Sequence, residues 1–80
     1  MDRRQIEQTV LSVLTAVLKQ PFPAGAGITR LNTPSWDSLK HIEIMFALED
    51  ELGIEFSEAE LSELDGVIKI VDAVQARHAA

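Results

Sequence analysis

Apolar residues recur at intervals of three and four along most of this 80-residue chain, and the stretch from 20 to 37 interrupts the pattern. This spacing places apolar side chains on one side of an α-helix. We therefore predict an all-α bundle of four helices, three longer and one short, with a long first loop, in a single domain over residues 1–80. The helices are predicted from about Arg3 to Lys19, from Ser38 to Leu52, from a capping box at Ser57 to Leu64, and from a cap at Asp65 to Arg77.

The first loop, residues 20–37, has no periodicity and holds all 3 prolines of the chain. Loops longer than about 12–15 residues without structure of their own are uncommon in small domains. We therefore expect apolar side chains to attach this loop to the core at intervals. The candidates are Phe22, Ile28, Leu31 and Trp36.

Several function classes are excluded or disfavoured by composition. The chain has no cysteine, which excludes a disulfide scaffold, a Cys-ligated zinc site and a thiol nucleophile. A core of this size disfavours a deep catalytic cleft, and we predict no catalytic residue and a protein that is not an enzyme. Two distant histidines and an acidic run without calcium-loop spacing predict no metal site. No apolar run approaches the ~18 residues of a membrane span, and we expect a cytoplasmic protein.

The acidic residues are concentrated in one part of the chain. Residues 43–65 hold nine of the 13 acidic residues and no lysine or arginine. Such a surface repels nucleic acid and anionic lipid, so we expect protein partners with basic patches, and neither nucleic-acid binding nor membrane insertion. An ordinary solvated surface is the simpler alternative.

The predicted helix at 38–52 carries apolar residues on two opposite sides, given about 100° of rotation per residue. The side expected to face the core holds His41, Ile44, Met45, Leu48 and Leu52. The opposite side holds Leu39, Ile42 and Phe46, with Glu43, Glu49 and Asp50 on it or beside it. Apolar and acidic groups mixed on an exposed helix face are typical of a docking surface. The alternative is that the long loop covers Leu39 and Phe46.

Ser38 follows Asp37 at the start of this helix. By spacing alone, Asp37 is an N-cap and Ser38 an ordinary residue of the first turn. The same position also suits a serine that carries a phosphodiester. Free backbone N–H groups and the helix dipole favour a phosphate there by about 0.3–1 kcal/mol.

The central part of the chain contains a longer pattern. Asp37-Ser38-Leu39 is followed by Ile42-Glu43-Ile44 and then by A-L-E-D-E-L-G-I over residues 47–54. This arrangement resembles the acyl carrier proteins, and the similarity continues through the short third helix to Val67, Val71 and Val74. It covers about half of the chain closely, and the first helix and long loop loosely.

The resemblance implies an acyl-carrier-like four-helix bundle in which Ser38, flanked by Asp37 and Leu39, bears a covalent 4'-phosphopantetheine whose thiol holds an acyl group as a thioester. The implied partners are a phosphopantetheinyl transferase and the acyl-transferring and synthase enzymes of fatty acid or specialised polyketide or lipid biosynthesis. We expect this chain to be a monomer. The residues implied to meet these partners are Leu39, Ile42, Glu43, Phe46, Glu49 and Asp50. The residues implied to shelter the acyl chain are Ile44, Leu48, Leu52, Ile54, Leu64 and Ile70.

Two residues beside Ser38 depart from the family pattern. Lys40 stands where many members have an acid, and Trp36 where a small residue is common. These differences favour a dedicated carrier for a specialised acyl, polyketide or aminoacyl product. Two alternatives stay open: an aminoacyl or peptidyl carrier, although the G-G-H/D-S-L signature is absent, and an unmodified acidic helical module that only binds proteins. Ser38 is required in a carrier and dispensable in such a module.

Overall fold

The computed structural model describes residues 2–22 and 27–79, without the side chains of 78 and 79. Within these residues the chain forms four α-helices and no strand, which confirms the all-α prediction. The predicted loop residues 23–26 lie outside the described residues. The helices are α1 (Arg3–Leu18), α2 (Ser38–Leu52), α3 (Glu58–Glu63) and α4 (Val67–Ala79).

The helix ends are set by local side-chain chemistry. The Asp2 carboxylate accepts a hydrogen bond from Gln5 N, and the same reciprocal capping box joins Ser57 and Glu60 at the start of α3. At the end of α2, Gly53 adopts a left-handed conformation with φ of 63°. Glycine adopts this conformation without the steric cost of a Cβ atom, so the helix ends where the sequence places Gly53.

The core forms where α1 packs against both α2 and α4. Its buried members come from α1, α2 and α4, from the first loop and from the segments on either side of α3, and they are almost free of solvent contact. The side chains with no exposed surface are Ile6, Val10, Leu14, Ile44, Met45, Leu48, Ile70 and Val74.

The first loop is attached to the core at three of its four predicted positions. Ile28 and Trp36 are buried, and Phe22 packs half-buried against the core. The prediction for Leu31 was wrong, because its side chain is 95% exposed. Leu31 lies inside a tight turn closed by Thr33 N donating to the carbonyl of Arg30 at 3.4 Å, and this turn directs it away from the core.

The start of α4 differs from the prediction of a cap at Asp65. The helix begins at Val67, whose N–H donates to the carbonyl of Ile28 at 2.9 Å, and Gly66 pairs with Thr29 in an isolated β-bridge. A backbone group of the first loop therefore satisfies the first N–H of α4. The carboxylate of Asp65 instead accepts from Lys69 Nζ at 2.9 Å. At its other end α4 extends to Ala79, two residues beyond the predicted end.

Candidate functional site

The candidate site is the first turn of α2. Asp37 is the N-cap, because its carboxylate accepts from Lys40 N at 2.9 Å and its carbonyl accepts from His41 N at 2.8 Å. Ser38 is the first residue of the helix and is exposed. With Asp37 occupied in capping, the Ser38 hydroxyl stays available for other contacts.

The Ser38 hydroxyl contacts a residue that sequence reasoning missed. The Arg30 guanidinium donates from Nη2 to Ser38 Oγ at 2.7 Å. The two side chains border a surface depression of about 460 Å³ together with Asp37 and Asp65. Arg30 lies in an aperiodic segment eight residues before Ser38, so no helical or strand spacing could have indicated the contact.

The indole of Trp36 lies behind the site and is buried with His41. Trp36 Nε1 donates to His41 Nδ1 at 3.0 Å, and His41 Nε2 lies 2.6 Å from the carbonyl of Leu61. An indole N–H can only donate and a carbonyl can only accept, so these bonds select the neutral imidazole with its proton on Nε2. The pair ties the first loop, α2 and α3 together immediately behind Ser38.

The predicted buried and exposed sides of α2 are both confirmed. His41, Ile44, Met45 and Leu48 are buried, and Leu52 is partly buried against the core. The opposite side is open, so the alternative in which the loop covers it is wrong. Leu39, Ile42 and Phe46 are 67%, 52% and 57% exposed.

The acidic residues near this exposed side differ in their contacts. Glu43 is exposed and pairs with Lys40 Nζ at 3.5 Å, and Asp50 is exposed. Glu49 is half-buried, and its carboxylate accepts from Phe56 N at 2.8 Å. That bond ties the end of α2 to the segment that precedes α3, so Glu49 supports the fold. Glu43 and Asp50 are the exposed acids of the three, and of these Glu43 is in an exposed pair with Lys40.

An apolar cleft of about 270 Å³ lies between α2 and α3 and adjoins the exposed side of α2. Its lining comes mainly from apolar side chains, including two that are exposed on α2. The lining residues are His41, Ile42, Met45 and Phe46 from α2, and Glu58, Leu61 and Ser62 from α3.

The six residues that the resemblance implies for an acyl pocket lie elsewhere. Ile44, Leu48 and Ile70 have no exposed surface, Leu64 is buried, and Leu52 and Ile54 pack partly buried against the core. None of them lines the cleft between α2 and α3. Their role with an acyl chain stays a prediction.

Two carboxyl groups near the cleft and the depression have shifted pKa values. The hydrogen bond from Arg77 lowers the pKa of Glu60 below its ordinary value, and the bond that Ser57 N donates within the capping box lowers it further. The Arg77 guanidinium also lies 5.3 Å from the centre of the Phe56 ring. The bond from Lys69 lowers the pKa of Asp65. Both carboxylates are thus ionised and already paired.

Neither a metal centre nor a membrane span is found in the part of the chain that the structure describes. Among the side chains of residues 2–22 and 27–77, no three of His, Asp or Glu come together as metal ligands. None of the helices described there has both the length and the apolar character to cross a bilayer.

No protein-family model matches this chain. No curated protein matches it either.

Proposed function

We propose that this chain is an acyl carrier protein, which holds acyl groups as thioesters on 4'-phosphopantetheine attached to Ser38 and presents them to other enzymes. The observation that carries the proposal is the position of Ser38. Its hydroxyl is exposed at the first residue of α2, and the exposed apolar side of the same helix begins at the next residue, Leu39.

The residues around Ser38 suit such a group. An exposed hydroxyl can be reached by a transferase, and a long arm can leave from it without displacing the core. The Ser38 oxygen would form the new bond to phosphorus, its proton would go to a base of the transferase, and adenosine 3',5'-bisphosphate would leave from coenzyme A. The bound group supplies the thiol that this cysteine-free chain lacks.

The exposed side of α2 suits a partner that must approach Ser38. Leu39, Ile42 and Phe46 offer apolar contact, and Glu43 and Asp50 offer negative charge beside it. Apolar area contributes mainly to affinity, while exposed charges mainly steer association. Enzymes with a basic rim around an apolar patch therefore match this surface, and the phosphopantetheinyl transferase would be one of them.

The cleft between α2 and α3 is where an acyl chain could first contact the domain. It adjoins the exposed side, and Ile42, Phe46 and Leu61 contribute apolar surface to it. Deeper shelter among Ile44, Leu48 and Ile70 would require the helices to separate, since these side chains are fully buried in the folded core. Following the resemblance to acyl carrier proteins, we propose fatty acid or specialised polyketide or lipid biosynthesis as the setting, with an aminoacyl or peptidyl product as the alternative cargo.

The decisive experiment is intact mass spectrometry after incubation with coenzyme A and a broad-specificity phosphopantetheinyl transferase. We expect the mass gain of one phosphopantetheine, located on Ser38 by peptide mapping. Ser38→Ala should abolish the gain. Ser35→Ala is the matched control, because Ser35 lies three residues away and hydrogen-bonds Gln20 instead, and it should load normally.

An unchanged mass with several transferases that load a control carrier would contradict the proposal. The unmodified interaction module would then be favoured, and its signature would be a partner that binds Ser38→Ala as tightly as the unaltered chain.

A further inference from the structure

The backbone on both sides of Thr29 is anchored to the start of α4 and the residues just before it. Arg30 N donates to the carbonyl of Asp65 at 2.8 Å, and Val67 N donates to the carbonyl of Ile28 at 2.9 Å. The bridge between Thr29 and Gly66 lies between these two bonds. The Arg30 side chain therefore extends from a backbone that is held in place, and its contact with Ser38 Oγ at 2.7 Å does not depend on a free loop.

Within the part of the chain that the structure describes, the Arg30 guanidinium has one hydrogen-bond partner. A guanidinium has five N–H donors, and Ser38 Oγ occupies one of them. Arg3, Lys40, Lys69 and Arg77 form ion pairs with carboxylates among the described residues. Over residues 2–22 and 27–77, no carboxylate pairs with Arg30. The cation nearest to the Ser38 hydroxyl is thus free to bind an anion.

The other charges around the depression are negative and already engaged. Asp37 caps α2 through Lys40 N, and Asp65 pairs with Lys69. A phosphate placed on Ser38 without a cation would face two carboxylates and be repelled by them. Arg30 is the side chain at this depression that can offset their charge.

We propose that Arg30 binds the phosphate of the phosphopantetheine on Ser38 and so sets the direction in which the arm leaves the domain; this rests on the proposed function. The free phosphate oxygens are bonded to the same phosphorus as Ser38 Oγ, so a guanidinium that already donates to Oγ lies within reach of them. In a bond from a guanidinium to a phosphate oxygen both partners are charged and the planar fork can donate two N–H groups, whereas the present acceptor of Arg30 is a neutral hydroxyl. Arg30 is a positioning residue here, since it touches the link and not the acyl group.

The first test uses the unaltered chain and an arginine-specific dicarbonyl reagent. Modification rates are measured for each arginine by peptide mapping, before and after loading. We expect the rate at Arg30 to fall severalfold on loading, because the phosphate occupies its donors. Arg4 is the internal control, since it is exposed in the first turn of α1 and borders a different depression. An Arg30 rate that loading leaves unchanged would overturn the proposal.

The second test compares Arg30→Gln with Arg4→Gln, which remove the same charge at different sites. The readout is the ³¹P chemical shift of the loaded protein, measured against the same protein unfolded in urea. We expect Arg30→Gln to move the shift to the unfolded value and to abolish its salt dependence, while Arg4→Gln leaves both unchanged. Arg30→Lys, a point charge without the planar fork, should keep the salt dependence but move the shift.

These readouts separate the two proposals. If the unaltered chain gains no mass, the carrier function fails. If it loads but Arg30 keeps its dicarbonyl reactivity and Arg30→Gln keeps the ³¹P shift, only the role of Arg30 fails. If Arg30→Gln resists loading, the dicarbonyl test on the unaltered loaded protein decides.

Discussion

Both sides of α2 carry apolar residues, but one side is buried and the other is exposed. On one side, Ile44, Met45 and Leu48 have no exposed surface; on the other, Leu39, Ile42 and Phe46 are at least 52% exposed. Both sets are apolar and belong to one helix, so hydrophobicity does not decide between them. The difference is that α1 packs against only one side of α2. In a chain this small, the remaining helices cannot cover both.

Folding does not bury the exposed side, so its burial in a complex with a partner could still contribute free energy. Apolar area is worth about 25 cal/mol per Å² when it is removed from water. On the buried side this contribution goes into folding, and on the exposed side we propose that it goes into partner binding. Substitutions on the two sides should accordingly affect different measurements.

The largest effect is expected for Leu48→Ala on the buried side. Truncation of a fully buried leucine should destabilise the domain by about 2–5 kcal/mol, through lost burial and the cavity left behind. Phe46→Ala on the exposed side is the matched variant, and its effect on the free energy of unfolding should stay within about 0.5 kcal/mol. Urea denaturation followed by circular dichroism measures both.

A milder substitution on the same side keeps the comparison measurable if Leu48→Ala does not fold. Ile44→Val should cost about 0.5–1.5 kcal/mol by the same mechanism. If Phe46→Ala proves as destabilising as Leu48→Ala, then Phe46 contributes to the folded core and the contrast between the two sides disappears.

The next effect concerns His41, the one polar residue on the buried side. His41→Phe removes both hydrogen bonds of the ring and leaves the Trp36 indole N–H without its partner, which should cost about 1–3 kcal/mol. Trp36 is the single tryptophan, so its fluorescence should report the change directly.

The control for this prediction is a double-mutant cycle with Trp36→Phe. Because the two rings hydrogen-bond to each other, the cost of the double variant should be smaller than the sum of the single costs. Strictly additive costs would mean that the bond between Trp36 and His41 contributes nothing to stability.

A third effect tests the charges of the exposed side. Changing Glu43 and Asp50 to lysine should slow loading by the transferase about tenfold at low salt, since exposed charges act mainly on association. The difference should shrink as ionic strength rises. The measurement is the initial rate of mass gain, with circular dichroism to establish that the variant is folded.

Glu51→Lys with Glu63→Lys makes the same change in net charge with two exposed acids that do not line the cleft beside the exposed side. This control should load at close to the normal rate. Equal slowing in both variants would assign the effect to net charge and not to the exposed side.

The smallest effect concerns α3, which borders the exposed side across the cleft. The pKa of Glu60 is lowered below its ordinary value of 4.5 mainly by the hydrogen bond from Arg77. The ionised carboxylate is therefore favoured in the folded state. Its contribution should be complete above the pKa of the unfolded chain and be lost as the pH falls through the folded pKa. Arg77→Gln should reduce this loss and raise the pKa of Glu60, measured by carboxyl ¹³C titration.

Lys69→Gln serves as the control, because it removes the corresponding partner of Asp65. It should raise the pKa of Asp65 and leave the titration of Glu60 unchanged. If the pKa of Glu60 is unchanged in Arg77→Gln, then the capping box alone lowers it.

The sequence by itself determined the features that depend on neighbours along the chain. The helices begin where Asp37 and Ser57 can accept bonds from N–H groups three residues on, and α2 ends at Gly53. The two sides of α2 also follow from spacing alone, since a helix repeats every 3.6 residues. These local rules place Ser38 at a helix start, and the resemblance of its surrounding residues to acyl carrier proteins made it the candidate site.

Only the tertiary structure decided the contacts between distant segments. The bond from Arg30 to Ser38 and the link from Trp36 through His41 to Leu61 both begin in an aperiodic loop. Asp65 shows why local rules failed there: its sequence context suits a cap, but the carbonyl of Ile28 takes the first N–H of α4 instead. Every residue has a backbone carbonyl, so the sequence does not indicate which carbonyl will accept this N–H group. That is decided only when the helices pack and position the loop.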